Sequence, residues 1–594
     1  MSIVFLLLIL LLITIKNIFW GFIVLILFLL LPIRKWEKLI LCIIGGLFFV
    51  RVLIDINILN SLWIKVSDNL CANLVSRAFC KLDDLKIGQV FSANYHLVES
   101  FDNIDGLVGI VKFSNIKNVY FSDFHAFLYQ WISNLPLIAK QLYYKGFRDV
   151  NIYFRFILSS GIFISGGFYV LISILNKKFN QNITKYIEIV LITFLLIIFG
   201  YRFILLRKIL TMCFKKYKQS IFIEMIIILF IFPTAIEQLA FIYPFIMRLV
   251  SFISFDKKYI KLKRIILSWL LQSYYLMNVN IVTLFGYNFF KYISGIYFWL
   301  AWIGFDFDIF SSNLYVINLK GQLSIYINVL IVLLIVISRF NFKKIIIIMF
   351  LFLAGYSLIY FYPYTRIIFI NVGQGDSQLF ISPYLEEVIL LDTGKPSAYR
   401  DLKQVLDKYG IYKINQLITT HNDNDHNGNV FNLLSDYKIE YYASNKNEVK
   451  KPKIFEFDYL LMNKTYNNDN DNSIIIYNKI NDFKLLFLGD ASKEVERDIL
   501  DEFSQKVDII KLGHHGSKTS SDKVFLSEMC NRDCFGIISS DPKVYNHPHF
   551  ETKKTLLDLE IMTLETYLDN DIVLEFRGNG LHFFTNRYKF IFRK

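Results

Sequence analysis

The chain has 594 residues, 55% of them hydrophobic and 17% aromatic, with a formal net charge of +14 at neutral pH. That length is too great for one hydrophobic core, and a mean hydropathy of +0.43 exceeds what a soluble chain needs, so two or three domains with a membrane part are expected. The positive excess favours polyanions or anionic membrane as partners, and cytoplasmic loops of membrane proteins carry the same excess.

Residues 2–33 are almost wholly apolar, broken near Lys16 and Asn17, and no small-residue cleavage site follows. They read as two short membrane helices, and a third covers 39–53 after the basic run Arg34-Lys35-Trp36-Glu37-Lys38. A full span takes about 20 apolar residues, so the first two suit a hairpin. The basic loop belongs in the cytoplasm and sends the next segment outside. Residues 1–55 thus form an N-terminal transmembrane region.

Residues 56–130 change character. Short alternating runs at 62–66, 74–79, 89–97, 108–113 and 118–121 are split by Asp, Asn and Gly. Five strands of this kind suggest an OB-like β domain, a platform for single-stranded nucleic acid, or a purely structural β insert. Cys71 and Cys80 lie in this segment and are either a disulfide or two free thiols. Cys530 and Cys534 have no second pair at zinc-finger spacing.

Residues 150–362 read as a polytopic domain with spans at 156–175, 186–206, 221–252, 265–305, 323–338 and 345–362. The stretches at 221 and 265 exceed one crossing and should contain broken or re-entrant pieces. Basic clusters at Lys177-Lys178, 257–264 and 339–344 belong in the cytoplasm, and the acidic link Asp306-Phe307-Asp308 outside. This topology places both the β domain and the C-terminal domain on the outer face of the cell membrane. Arg202, Arg207, Lys208, Lys215, Lys216 and Lys218 then lie outside, against the rule. Either the topology is redrawn, or Arg207, Lys208, Lys215 and Lys216 contact DNA phosphates.

From 365 to 594 the pattern is α/β. Strands at 367–372, 379–381, 388–391, 416–419, 474–477, 485–488, 507–512 and 536–539 alternate with helical stretches at 401–409, 493–503 and 551–559. Such alternation implies sheet layers covered by helices. The densest chemistry is I-T-T-H-N-D-N-D-H-N-G-N at 418–429, where a buried strand breaks into a polar loop before a helix. Alternate residues of an extended chain share one side, so His421, Asp423 and Asp425 can converge while His426 turns back. Imidazole nitrogen with carboxylate oxygen suits zinc or manganese better than calcium. The plain alternative is an Asn/Asp-rich turn bonding its own backbone. Further strand ends weigh against it: Asp490 closes an apolar strand, His514-His515 close another, and Tyr545-Asn546-His547-Pro548 follow a third.

Five motifs occur in order: F-I-N-V-G-Q-G-D-S (369–377), L-L-D-T-G (390–394), T-H-N-D-N-D-H-N-G (420–428), F-L-G-D (487–490) and K-L-G-H-H-G-S (511–517). Together they resemble the metallo-β-lactamase-like domain of ComEC-type competence proteins, the DNA-uptake channels of naturally transformable bacteria. In the membrane part, I-S-G-G-F-Y-V (164–170) is similar to the family's I-S-G-L-H-V, with Phe168 in place of a His. Leu205-Leu206-Arg207-Lys208 followed by Met212 is similar to its L-R-A…M segment. Departures occur too. Asn429 replaces the second Gly of D-H-x-G-G, as a residue that tolerates left-handed backbone. Lys543-Val544-Tyr545-Asn546-His547-Pro548 stands where the family has N-x-Y-G-H-P. Asp423 replaces a His of the wider superfamily, which makes the site harder and favours manganese alongside zinc.

The resemblance implies an αββα sandwich with two divalent ions, Mn²⁺ or Zn²⁺, at the edge of the sheets. The ligands it implies are His421, Asp423, Asp425, His426, Asp490 (as a bridge) and one of His514 and His515. Asp376 and Asp392 would orient ligands from behind. Asp425, Asp490, His515, Ser517 and His547 would carry catalysis, Ser517 and His547 either touching the phosphate or merely capping and packing. The implied reaction is metal-assisted phosphodiester hydrolysis, with the ions offsetting charge on attacking and leaving oxygens. The leading reading is a channel that imports one DNA strand while its outer domain, a nuclease, degrades the other. Its partners would be single- and double-stranded DNA, membrane lipid, a DNA-receptor protein and a cytoplasmic helicase-type protein, with an oligomer left open. The competing readings are a membrane-anchored metallohydrolase acting on nucleotides or phospholipid, and a transporter with a vestigial hydrolase domain.

Overall fold

The computed structural model describes residues 342–593 without a break and, upstream, parts of 25–47, 62–135, 162–301 and 304–337. Most of the region expected to hold the first two membrane helices, and also Lys215 and Lys216, lies outside the described residues. The chain forms two compact units, Met1–Asn318 with Val332–Phe342, and Leu319–Ile331 with Lys343–Lys594.

In the first unit, β1 (Leu62–Ser67), β2 (Leu70–Ala72), β3 (Arg77–Phe79), β4 (Gln89–Ser100) and β5 (Leu107–Phe121) close into a barrel of order β1-β2-β3-β5-β4. The runs expected as separate strands at 108–113 and 118–121 are one strand. Asn118, at φ 52, takes up an extra residue in the β4–β5 ladder, and the strand continues past it. Trp63, Phe91 and Phe113 fill the barrel, with edge-on ring contacts at 5.0 and 5.2 Å. Cys71 and Cys80 are joined by a disulfide across Cα atoms 6.0 Å apart.

Helices follow: α1 (Ile162–Lys178), α2 (Gln181–Phe199), α3 (Phe203–Phe214), α4 (Ser220–Ile231), α5 (Leu239–Ile253), α6 (Ile260–Leu276), then β6 (Asn278–Asn280) and α7 (Tyr287–Ala301). β7 (Asn318–Lys320), α8 (Ile325–Ile337) and α9 (Phe342–Tyr360) lead into the second unit. The apolar stretch 265–305 is interrupted at Met277, where α6 ends and β6 begins, and α4 and α5 are the described parts of 221–252. Among the described residues, one helix, Lys343–Tyr360, is long and apolar enough to cross a membrane; Ser220–Ile231 and Tyr292–Ala301 are apolar but shorter. α1 and α7 cross where a Cβ on Gly295 would lie 2.3 Å from the backbone N of Gly167, so only glycine fits. Glu224 of α4 is fully buried and paired with Arg248 of α5, while Thr211 of α3 donates to its Oε2 at 3.2 Å. Lys208 is paired with Glu188 of α2 and sits 4.3 Å from the Phe168 ring. Arg207 lies with its guanidinium 6.0 Å from the ring of Phe245.

The second unit holds two sheets. One contains β8 (Thr365–Phe369), β9 (Gln378–Ile381), β10 (Val388–Leu391), β11 (Lys413–Ile418), β12 (Lys438–Ala443) and, from the chain's end, β19 (Ile572–Arg577), β20 (Gly580–Phe584) and β21 (Lys589–Arg593). Its order is β12-β11-β10-β9-β8-β19-β20-β21. The other runs in sequence order: β13 (Glu456–Leu460), β14 (Ile475–Ile480), β15 (Phe483–Phe487), β16 (Val507–Lys511), β17 (Cys530–Ile538) and β18 (Met562–Glu565).

Strand periodicity builds the layers. Ile367 and Phe369 point to the core between the sheets, with Phe380, Phe457, Ile476, Leu485 and Phe487, while Ile368 and Ile370 point the other way. That outer face is covered by α10 (Tyr399–Lys408) through Leu402 and Leu406, and by Leu433 of α12 (Val430–Asp436), the helix after the one-turn α11 (Asn424–Asn427). On the other sheet, Val495 and Ile499 of α13 (Lys493–Glu502), Phe525 and Met529 of α14 (Lys523–Met529) and Leu556 of α16 (Phe550–Asp558) do the same, with one-turn α15 (Pro542–Tyr545) between the last two. The result is helix, sheet, sheet, helix. Because both faces of each sheet are covered, the strands read as unbroken apolar runs.

β10, β11 and β12 are mutually parallel, as are β15 to β18, so each sheet gathers the loops after its strands at one edge. Phe380 lies between the layers, with the rings of Phe457 and Phe487 each 5.2 Å away. Phe380→Ala should cost about 3–5 kcal/mol, read as an earlier urea midpoint for the second unit. Val524→Ala, on an exposed side chain, should move the midpoint little.

Candidate metal centre

Four loops build the centre. The loop after β11 carries His421 to His426, those after β15 and β16 carry Asp490 and His514-His515, and that after β10 carries Asp392. Backbone at Asp392, His514 and His515 is left-handed, with φ of 58, 47 and 54. Ordinary side chains avoid this region, and such strain persists where surrounding structure over-determines it.

Each of three buried imidazoles has its Nδ1 engaged on the protein side. His426 Nδ1 donates to Asp392 Oδ2 at 2.9 Å, and His515 Nδ1 donates to the carbonyl of Ser539 at 2.8 Å. His421 Nδ1 lies 3.1 Å from Thr420 Oγ1 and 3.3 Å from Ser473 Oγ. Those hydroxyl protons are already committed, Thr420 to Asp392 at 2.9 Å and Ser473 to the carbonyl of Asn470 at 2.6 Å. Both hydroxyl oxygens therefore accept from His421, and each ring carries its proton on Nδ1.

The three Nε2 atoms consequently present lone pairs. All three, with Asp490 Oδ1, are buried without a hydrogen-bond partner. Two of them meet at Asp490: its Oδ1 lies 3.2 Å from His426 Nε2, and its Oδ2 lies 3.4 Å from His515 Nε2. Asp425 Oδ2 is 3.3 Å from His515 Nε2, and Asp423 Oδ2 is 3.6 Å from His421 Nε2. Buried acceptors facing one another without a donor are costly unless a cation lies among them. A divalent ion fits this donor set.

Electrostatics agree. Burial works against charge on His426 and His515, yet Asp490 with Asp392, and Asp490 with Asp376, lift the two rings well above the ordinary imidazole value. Burial likewise opposes charge on Asp490, but His515 and His426 hold it well below the usual carboxylate range. Burial and the nearby His426 push His421 down. A site that draws protons onto buried imidazoles has excess negative potential, which a metal ion satisfies in their place.

The structure separates the paired histidines. His515 is buried and faces the cluster, whereas His514 is partly exposed and its Nε2 is 3.9 Å from Asp490. Asp376, Asp392 and Lys511 stand behind. Asp376 lies within 4.8 Å of the potential ligand atoms of His426, Asp490 and His515. Its Oδ2, however, takes 2.7 Å from Lys511 Nζ, and its Oδ1 faces the Nδ1 side of His515 at 3.5 Å. Because that ring presents Nε2 to the cluster, Asp376 orients it from the rear. Ser517 is buried, and its Oγ accepts from Thr519 Oγ1 at 3.0 Å, so it builds the loop. His547 is buried beside the centre, its ring 5.8 Å from that of His514. His549 is half-buried with its Nδ1 accepting from Lys518 N at 3.1 Å.

Asn429 corrects the expectation made for it. Its φ is −114, so left-handed tolerance is not what it supplies. Its Nδ2 donates to the carbonyls of Thr393 and Lys395 at 2.8 and 2.7 Å, tying the D-T-G turn to the metal loop. Asn546, in the other glycine position, does adopt φ 57. Ser473 and Ser539 escaped the sequence reading, because single polar residues at loop ends carry no spacing signal, and Gln374 sat inside the first motif without a role being read for it. Lys511 sat inside a motif, and its buried charge was the available clue.

No family model matches the chain. It is 23% identical over 253 residues to ComE operon protein 3 of Bacillus subtilis (strain 168), a match covering 35% of this chain and 32% of the relative. The chain thus aligns with about a third of that curated relative. Among solved structures it is similar to a diphosphatase of the PhnP family, at 15% identity over 36% of this chain and 98% of the other, with a TM-score of 0.24. The resemblance to ComEC-type competence proteins drawn from the motifs stands.

Metal content of the purified full chain tests the centre. Asp490→Ala and His515→Ala should each abolish binding of Zn²⁺ or Mn²⁺, and His514→Ala should leave most of it. Asp392→Asn, which removes the acceptor behind His426, should weaken binding about 10–100-fold. Full metal content in Asp490→Ala would remove the assignment.

Proposed function

We propose that the chain is a membrane protein of DNA uptake that passes a single strand inward, and that its C-terminal domain hydrolyses phosphodiesters of the strand left outside. The observation that carries the hydrolase part is the convergence of two buried Nε2 atoms, of His426 and His515, on Asp490, with His421 Nε2 facing Asp423. His421 and Asp423 would hold one divalent ion, and Asp425, His426 and His515 a second, with Asp490 shared between them. Zinc or manganese suits the mixed donors. Such ions, when bound, polarise a phosphate oxygen and lower the pKa of water.

The chain's own residues do the rest. Asp392 and Ser539 keep His426 and His515 in one tautomer, so their lone pairs stay aimed. Lys511 neutralises Asp376 and keeps that carboxylate behind His515. The strained backbone at residues 514 and 515 turns two successive imidazoles in different directions, one into the cluster and one toward its partly exposed rim. His514 at that rim can meet the substrate.

The closed five-stranded barrel, read as OB-like, would bind single-stranded DNA ahead of the channel. Basic Lys343 and Lys344, at the start of the span Lys343–Tyr360, support a cytoplasmic start and an outer hydrolase domain. A second reading is a membrane-anchored metallohydrolase acting on nucleotides or phospholipid with no channel. It rests on the same metal centre and on the span Lys343–Tyr360, and needs no channel.

Deleting the gene and scoring uptake of labelled DNA separates them. The channel reading expects uptake to vanish and to return with the wild-type gene. Uptake unchanged by the deletion would leave only the anchored hydrolase. With a soluble phosphodiester and added Mn²⁺, Asp490→Ala should turn over at least about 100-fold more slowly than wild type, since ligand loss should exceed loss of an outer partner.

A further inference from the structure

Gln374 lies in the loop between β8 and β9 and is buried. Its side chain bridges two points of the segment after β17. Oε1 accepts from the backbone N–H of Asp541 at 3.1 Å, and Nε2 lies 3.3 Å from Nδ1 of His547. A backbone N–H can only donate, so the amide oxygen must face Asp541 and the amide NH₂ must face His547. That NH₂ can also only donate. Nδ1 of His547 therefore accepts, and the single proton of the neutral ring sits on Nε2. An N–H aimed at Nδ1 leaves no proton there, so the ring is neutral. The ring stands 6.4 Å from that of His515, close to parallel with it.

His547 is thus held in the opposite tautomer to His421, His426 and His515, whose Nδ1 carries the proton. We propose that Gln374 is a positioning residue that fixes His547 as a neutral Nε2–H donor to an oxygen of the phosphodiester bound at the metal centre. This deepens, and rests on, the phosphodiester reading above. A ring so set offers no lone pair at Nε2 to a cation or to a water proton. It can only lend a hydrogen bond where negative charge gathers during phosphoryl transfer.

Gln374→Glu is the discriminating change. It keeps an acceptor for Asp541 N–H and sets a carboxylate oxygen against Nδ1, drawing the ring proton there and leaving Nε2 bare. With full-length, Mn²⁺-loaded protein at alkaline pH, kcat on a soluble phosphodiester should fall about tenfold to a hundredfold, the worth of one hydrogen bond to a charged acceptor. Affinity for inorganic phosphate should fall comparably, with metal content unchanged. His547→Gln brings its own N–H donor and should retain more activity than His547→Ala. In the His547→Gln background, Gln374→Glu should add nothing, because no tautomer remains to be set. A Gln374→Glu protein equal to wild type in kcat and phosphate affinity overturns the proposal. So does a loss that persists in the His547→Gln background or that comes with lost metal, since either assigns Gln374 a structural role. If wild type itself fails to cleave the diester, the phosphodiester reading falls, and phosphate affinity alone decides the role of Gln374.

Discussion

A bond on the far side of an imidazole ring is the constraint on which the centre depends. An imidazole has two nitrogens, and fixing the proton on one decides what the other can do. Asp392, Ser539 and the Thr420–Ser473 hydroxyls each occupy an Nδ1, leaving two lone pairs beside Asp490 and a third beside Asp423, without a donor among them. Everything that holds those partners is therefore part of the site. The D-T-G turn with its left-handed Asp392, the Asn429 crosslinks to that turn and the Lys511–Asp376 pair all serve one geometry.

That geometry is expensive, and the fold supports it by rigidity. Lys511 and Asp376 are both about 1% exposed, and removing one partner of a buried pair typically costs about 3–5 kcal/mol. Such a pair gives little net stability by itself. What it secures here is position, because Lys511 ends β16 just before the loop that delivers His515. The loops are short and spring from parallel strands of two sheets whose inner faces interlock through Phe380, Phe457 and Phe487, so a shift in one ligand would require a shift in a sheet.

Much of the second unit was legible in the sequence, since it is written in local patterns. The polar loop after β11, the aspartate after β15 and the histidines after β16 each follow an apolar strand, and strand ends are readable without partners. What was illegible depends on long-range pairing. β12, β13, β18 and the antiparallel β19 to β21 carry weaker patterns and gain their place only by lying against other strands. The choice of His515 over His514 turns on two left-handed residues in succession, which no propensity foretells. Asn429 was assigned a backbone role because it stands in a glycine position, whereas its side chain is what the turn needs. In the first unit, a bulge at Asn118 made one strand look like two, and a break at Met277 ended α6 inside a long apolar stretch.

X-ray absorption at the metal edge of the full chain, loaded with Zn²⁺ or Mn²⁺, tests the central claim most directly. The account predicts a mixed shell of carboxylate oxygen and more than one imidazole, with the imidazole signal reduced in His515→Ala and unaltered in His514→Ala. An all-oxygen shell, or an imidazole signal indifferent to His515, would contradict it.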